Sequence, residues 1–262
     1  MVVAEREQSE RLREGSAETD FWRRLARRFV PRSSGEGPDP TVAAVARLLK
    51  PKDTLLDVGA GGGRLAVPLA RHCLRVVAVE PSESMRKQLA DSAASHGIKN
   101  IGAVPAGWLS AKVQKADVVL CAHVVYAIDE IEPFVEKLDS RADRLVAVVL
   151  QPRPPMSNFY PLWRLVHGEY RRSLPSLPEF LELLQSWRVE CDMIRLTGGD
   201  LNLFADFDDA VDYSMQRLFL QPGSPKARRL VGVLREVLVE SDGGLRFSWS
   251  RPFHPRVVTW RT

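Results

Sequence analysis

The residues with the most chemistry to offer stand in one short run, Asp57-Val58-Gly59-Ala60-Gly61-Gly62-Gly63. Thr54 to Val58 reads as an apolar strand and Arg64 to His72 as a helix, so the glycines form the turn between them. A strand–turn–helix of this kind is a general nucleotide-binding device. Glycine lets the backbone come close to a ligand, and the helix start offers free N–H groups. The details narrow the ligand. A dinucleotide fingerprint has the form G-x-G-x-x-G/A. Counted from Gly59 its sixth position is Arg64, which breaks it; counted from Gly61 it is Ala66, which fits but begins two residues late, inside the turn. A carboxylate at Asp57 repels a pyrophosphate and suits a ligand with a cationic amino group. No Gly-Lys-Ser/Thr follows, which removes the phosphate-binding loop of the nucleotide triphosphatases. His72, His96, His167 and His254 have no metal-ligand spacing, and no serine stands in a G-x-S-x-G elbow. No metal is expected.

With its acid and three spaced glycines, the run resembles the first motif of the class I S-adenosylmethionine-dependent methyltransferases, acid-x-G-x-G-x-G. The resemblance covers residues 41–150 well and the remainder loosely. It implies S-adenosylmethionine as cofactor, with Asp57, Gly59, Ala60, Gly61 and Gly63 around its amino acid end. Glu80 then resembles the acid at the end of the second strand, where a carboxylate accepts both ribose hydroxyls. Glu80-Pro81-Ser82-Glu83-Ser84-Met85 continues as the family's acid-x-Ser-x-x-Met run, which adds Pro81 to the cofactor set. Past the third strand, Gly107 stands where many members carry an aspartate for the adenine. Adenine would here rest on backbone groups and on Trp108, which reads equally as an ordinary buried aromatic. The segment Asp117 to Tyr126 resembles the fourth motif. It brings Cys121 and Ala122 to the methionine half of the cofactor and offers His123 and Tyr126 as catalytic candidates. His123 reads as general base, as a group orienting the acceptor, or as a satisfied structural histidine. The Asn-Pro-Pro-Tyr type motif of amino-directed DNA and glutamine methylases is missing.

The elements that must position these residues alternate along the chain. Strands are expected at Thr54–Val58, Arg75–Val79, Ile101–Val104, Asp117–Cys121 and Leu145–Leu150. Helices are expected over residues 41–50, Arg64–His72, Glu83–His96 (with Ser82 as N-cap) and Ile131–Leu138. Five such alternations predict an α/β, doubly wound, mostly parallel sheet covered on both faces. The resemblance extends it to a seven-stranded sheet with an antiparallel last strand, Arg256 to Trp260. Before it, residues 5–30 read as helix with Phe21, Leu25 and Phe29 on one face, a core stripe or an N-terminal helical lid over the cofactor; Pro31 to Pro40 read as a linker. After Gln151 come a proline-punctuated stretch, a helix over Glu179–Trp187, a strand near Val189–Leu196, and helix over residues 206–241 broken at Pro222-Gly223-Ser224-Pro225. The expected organisation is an N-terminal helix and linker over 1–40 and one catalytic domain over 41–262, with a C-terminal helical insertion at about 198–250.

Composition limits the partners. The formal charge of the 262 residues is +4 and the pI about 9.1, but the excess is spread as 0, +2 and +2 over residues 1–40, 41–150 and 151–262. No segment reads as a basic arm, so a nucleic-acid partner is not expected. Arg153, Arg164, Arg171 and Arg172 either meet an acidic acceptor or form a solvated basic loop. Cys73, Cys121 and Cys191 suit neither a disulfide framework nor a zinc site, and read as thiols of a reducing cytoplasm. Glu5 to Arg13 is too charged for a secretory signal, and apolar runs such as Val146 to Leu150 are too short for a bilayer. The expectation is a cytoplasmic methyltransferase of a small-molecule acceptor. The alternatives are an RNA or protein methyltransferase and a non-catalytic cofactor-binding module; an NAD-dependent oxidoreductase is opposed by Asp57 and Arg64.

Overall fold

The computed structural model describes residues 1–16, 20–23, 25–31, 39–196 and 203–262. A seven-stranded sheet is built from β1 (Thr54–Val58), β2 (Arg75–Val79), β3 (Ile101–Val104), β4 (Ala116–Ala122), β5 (Ala142–Leu150), β6 (Asp192–Arg195) and a terminal strand, Arg256–Arg261. Its order is β3-β2-β1-β4-β5, then the terminal strand, then β6. The terminal strand runs antiparallel to both its neighbours, and the first five are parallel. These are near-continuous apolar runs because both faces of the sheet are covered. Leu56, Val119 and Val148 point to one side, against Phe134, Leu138 and Leu184. Leu55, Val118 and Ala147 point to the other, against Val45, Leu69 and Leu89. The strand order reverses between β1 and β4, and the crevice beyond their carboxyl ends is where such a sheet receives ligands.

Helices cover the faces: α1 (Val2–Leu12), α2 (Pro40–Ala46), α3 (Ala66–Leu69), α4 (Glu83–Ser95), α5 (Ile131–Arg141), α6 (Tyr160–His167), α7 (Leu177–Ser186), α8 (Phe207–Arg217) and α9 (Pro225–Val237). Their starts follow from local sequence. Asp39 accepts the Thr41 N–H at the head of α2, Ser82 accepts the Met85 N–H at the head of α4, and Ser176 with Glu179 forms a capping box on α7. α6, α8 and α9 close on a separate core with Phe159, Trp163, Phe204, Leu230, Leu234 and Phe247. Leu12 brings α1 into that same core.

Three expectations are corrected. The helix expected over 5–30 ends at Leu12; the later part is a turn at residues 21–23 and a 3-10 turn at Ala26–Arg28, so the Phe21, Leu25, Phe29 stripe is not a helix face. Asp20 instead accepts hydrogen bonds at the head of α4, and the Phe29 carbonyl lies against Gly62. The helix expected to reach 241 stops at Val237. Leu238–Ser241 and Gly244–Phe247 (β7 and β8) form an antiparallel hairpin, whose second strand carries Phe247 into the core; the terminal strand is therefore β9. The β6 strand is shorter than Val189–Leu196, and all four of its residues are exposed at the sheet edge. Most of the expected linker, residues 32–38, and the start of the expected insertion, residues 198–202, lie outside the described residues.

Candidate active site

The glycine turn is held from both sides. The Gly59 N–H donates to the Val79 carbonyl at 2.8 Å, which ties the turn to the end of β2. Gly59 has φ +75°, and a Cβ there would lie 2.4 Å from Val124 Cγ2, so the position admits no side chain. The Gly61 N–H donates to Glu80 Oε2 at 2.9 Å, and the Ser82 N–H donates to Oε1 at 2.9 Å. Glu80 is buried at 6% exposure. Burial raises its pKa, against the pull of those two N–H groups. Its carboxylate is thus fixed at the tip of β2 while each oxygen keeps a lone pair for a further donor.

Asp57, at 2% exposure, is the electrostatic anomaly of the site. Its Oδ2 is buried without a hydrogen-bond partner. Burial first, and the neighbouring Glu80 second, push its pKa up to about 7, with Arg64 opposing. The Arg64 guanidinium is itself held by Asp39, 2.5 Å from Oδ2. An orphaned buried carboxylate between a second acid and a glycine turn fits a cationic group of a ligand.

On the far side of the crevice β4 ends in Cys121 and Ala122. Cys121 is fully buried, and burial followed by the Asp57 charge raises its thiol pKa, so it is inert. His123 follows in left-handed conformation, φ +60°. Its N–H donates to the Val149 carbonyl at 2.9 Å. Its ring Nδ1 lies 3.3 Å from Tyr126 Oη, with the two rings near parallel. Tyr126 Oη in turn accepts the Gln151 N–H at 2.6 Å. Burial, then Arg64, lowers the His123 pKa to about 3, so the ring is neutral at physiological pH. A base works best with a pKa near the operating pH, so this site does not favour the general-base role expected for His123.

The remaining expected residues are spread along the same edge. Ala60 is buried, and its N–H donates to Val79 at 3.3 Å; Pro81 is exposed. Gly107 opens a turn closed by the Ala111 N–H at 2.9 Å. Trp108 is 6% exposed, its indole N–H bonded to the Phe134 carbonyl and its ring packed on α5, which leaves little ring surface for a ligand. Three of the four arginines after β5 are engaged within the chain, and Arg172 is exposed. Arg153 bonds the Arg251 carbonyl and lies over Phe253, Arg164 bonds Tyr170, and Arg171 is buried against Glu5, Ser9 and Trp163. Sequence reasoning missed three participants. The Gln151 N–H acts through backbone and has no side-chain signature. Asp20 accepts hydrogen bonds from Ser82 Oγ and the Ser84 N–H, at 2.9 and 3.1 Å, at the head of α4. The Phe29 carbonyl sits over Gly62, 2.6 Å from where a Cβ would stand. An apolar cavity of about 330 Å³ opens behind Tyr126, walled by Val3, Ile128, Ile131, Phe180 and Leu183. Among the described residues no acidic, histidine or cysteine cluster could hold a metal, and no helix is long and apolar enough to cross a membrane.

Residues 56–141 match the family model described as a methyltransferase domain. An uncharacterized protein of Haemophilus influenzae is 31% identical over 96 residues, which cover 36% of this chain and 35% of that relative. The fold is similar to that of the YcgJ protein of Bacillus subtilis, with TM-score 0.57 and 13% identity over 85% of this chain and 97% of that one. It is also similar to a SAM-dependent methyltransferase of Geobacter sulfurreducens solved with S-adenosylhomocysteine, with TM-score 0.55 and 15% identity over 96% and 100%. The matched span contains β1 to α5, the part of the sheet that carries the glycine turn, Glu80 and His123. The motif, the strand order and that match agree: residues 56–141 are similar to a methyltransferase domain, on a sheet whose fold those solved structures share.

Proposed function

We propose that the protein transfers a methyl group from S-adenosylmethionine to a small-molecule acceptor. The observation that carries this reading is the orphaned Asp57 oxygen beside the Glu80–Gly61 hydrogen bond. It supplies an anionic seat for an ammonium next to a fixed carboxylate for two hydroxyls, the two polar ends of this cofactor's amino acid and ribose. Gly59, Ala60, Gly61 and Gly63 would wrap the amino acid end; Glu80 and Pro81 would meet the ribose; Gly107 and the edge of Trp108 would border the adenine; Cys121 and Ala122 would line the sulfur side. Residues 41–262 would form the catalytic unit and residues 1–40 an addition covering its site.

When bound, the cofactor supplies an already activated methyl group on a cationic sulfur. The chain's task is then alignment and exclusion of water, which in the best intramolecular cases is worth about 7–11 kcal/mol. Val124 against Gly59 and the Phe29 carbonyl against Gly62 close the crevice from two sides. Tyr126 borders both His123 and the apolar cavity, whose size suits a small acceptor. Even spacing of charge along the chain supports a small molecule over RNA. Titration calorimetry with S-adenosylhomocysteine and with NAD tests the cofactor. Binding of S-adenosylhomocysteine and none of NAD is expected; tight NAD binding without S-adenosylhomocysteine would overturn the proposal.

A further inference from the structure

We propose that His123 acts as a hydrogen-bond donor, locked in one tautomer by Tyr126, and that its Nε2–H receives the carboxylate of the cofactor's amino acid end. The proposal deepens the methyltransferase reading and rests on it for the identity of the carboxylate. Its first step is proton counting. Tyr126 Oη has one proton, and it already accepts the Gln151 N–H at 2.6 Å. Among the described residues its other hydrogen-bond partner is His123 Nδ1, at 3.3 Å. The phenol proton therefore points to Nδ1, which must accept. In a neutral imidazole one nitrogen accepts and the other carries the proton, so the proton is on Nε2. The backbone leaves the ring little freedom to escape this pairing. The left-handed φ of +60° and the bond from the His123 N–H to Val149 fix the residue at the end of β4, and the ring lies parallel to Tyr126.

The second step is where that donor faces. Nε2 makes no hydrogen bond among the described residues, and it is not one of the sealed, unpartnered atoms. Cys121 on β4 pairs with Val58, the neighbour of Asp57 on β1, and Val124 lies against Gly59, so His123 and Asp57 stand at one crevice, with Arg64 just past the same glycine turn. Asp57 favours a cation there, while Arg64 and the Nε2–H favour an anion. A single ligand carrying ammonium and carboxylate on one carbon satisfies both. In this arrangement Tyr126 is a positioning residue: it touches His123, not the ligand.

The test uses the full-length protein with nitrogen-15-labelled histidine, the His123 resonances being assigned by their loss in His123→Gln. At neutral pH the expected spectrum has a bare Nδ1 and a protonated Nε2. A protonated Nδ1, or a doubly protonated ring, would overturn the lock. In Tyr126→Phe both tautomers are expected to appear; an unchanged bare Nδ1 would remove Tyr126 from the role. Binding supplies the second readout. His123→Ala is expected to weaken S-adenosylhomocysteine by about tenfold or more, as for loss of a hydrogen bond to a charged group, and to leave 5′-methylthioadenosine, which has no carboxylate, unchanged. His123→Gln, which keeps an N–H donor, is expected to restore most of that loss. Equal weakening of both ligands, or none, refutes the carboxylate assignment. Failure of S-adenosylhomocysteine to bind the unaltered protein would instead sink the methyltransferase reading and leave the tautomer result standing.

Discussion

The sharpest quantitative consequence of the site is that ligand binding and stability should respond to pH through one buried carboxyl, Asp57. In the free protein its pKa stands at about 7 through burial and the Glu80 charge, against an ordinary value of 3.8. Only the ionised form offers full attraction to a ligand ammonium. If binding requires that form, S-adenosylhomocysteine affinity should rise about tenfold between pH 6 and pH 8. Stability of the free protein runs the other way. Unfolded Asp57 loses its proton near pH 3.8 while the folded group keeps it to about 7, so between these values the unfolded state binds fewer protons and folding weakens as pH rises. With each pKa unit worth 1.36 kcal/mol, the full loss is on the order of 4 kcal/mol. The raised pKa of Glu80 has the same sign; Arg64 opposes the Asp57 shift and Arg86 the Glu80 shift. Asp57→Asn removes the carboxyl and keeps its shape. The variant should bind more weakly than the parent at pH 8, lose the pH dependence of affinity, and exceed the parent's stability in denaturant titrations by more at pH 8 than at pH 5. Calorimetry and urea unfolding at the two pH values measure all three. A parent affinity that is flat from pH 6 to 8, or an Asp57→Asn protein destabilised equally at both pH values, refutes the reasoning.

Other perturbations read neighbouring parts of the site. Glu80→Ala frees the Gly61 and Ser82 N–H groups and removes the hydroxyl acceptor. It should weaken S-adenosylhomocysteine by about tenfold or more in calorimetry, and an unchanged affinity would take Glu80 out of the ribose role. Gly62→Ala puts a Cβ 2.6 Å from the Phe29 carbonyl, which is backbone and cannot swing aside. We expect residues 25–31 to lift from the turn, seen as faster proteolysis near Arg27 and Arg28, at a stability cost of about 1–3 kcal/mol; unchanged cleavage argues that this segment does not rest on the turn. Arg171→Met strips the partner from Glu5 and Ser9 in the contact that fastens α1 to the segment after β5. A loss of about 3–5 kcal/mol is expected, with faster amide exchange in α1; slow exchange in the variant would show that the other contacts, Leu12 and the Gln8 bonds to Tyr170 and Arg172 among them, hold α1 without Arg171.

Strands were the most legible part of the sequence. β1 and β2 begin and end where the apolar runs do, because a strand covered on both faces has no use for polar residues until it leaves the sheet, and the half-exposed edge strand β3 keeps its expected bounds too. The Ser82 cap fixed the start of α4 for a similarly local reason. The N-terminal region misled because its spacing is helical while its partners are not. Asp20 turns to the head of α4 and the Phe29 carbonyl to Gly62, so contacts far along the chain outweigh the period of Phe21, Leu25 and Phe29. Asp242-Gly243-Gly244 was a readable hairpin turn, but the helical run into Val237 masked it. At the site, residue types announced Asp57, Glu80 and His123, whereas their chemistry depended on what was unseen. The free oxygen of Asp57 and the backbone proton that Gln151 gives Tyr126 are matters of geometry alone.

That division also explains why the cofactor end of this protein is readable and the acceptor end is not. The crevice is made by the carboxyl ends of β1, β2 and β4, where a few residue types have to stand at fixed intervals. The roof is made by α1, α6, α8, α9 and the β7–β8 hairpin, which share an aromatic core of their own around Phe159, Phe204 and Phe247. Such a core asks only for apolar volume, so many sequences satisfy it, and none of its residues names a ligand. Because this core is separate from the two that cover the sheet, substitutions on its inner surface can change which acceptor fits while Asp57, Glu80 and His123 stay where they are. Acceptor choice should therefore follow the roof, and cofactor choice the sheet. Replacing cavity-wall residues of α1 such as Val3 should alter acceptor selection without moving S-adenosylhomocysteine affinity.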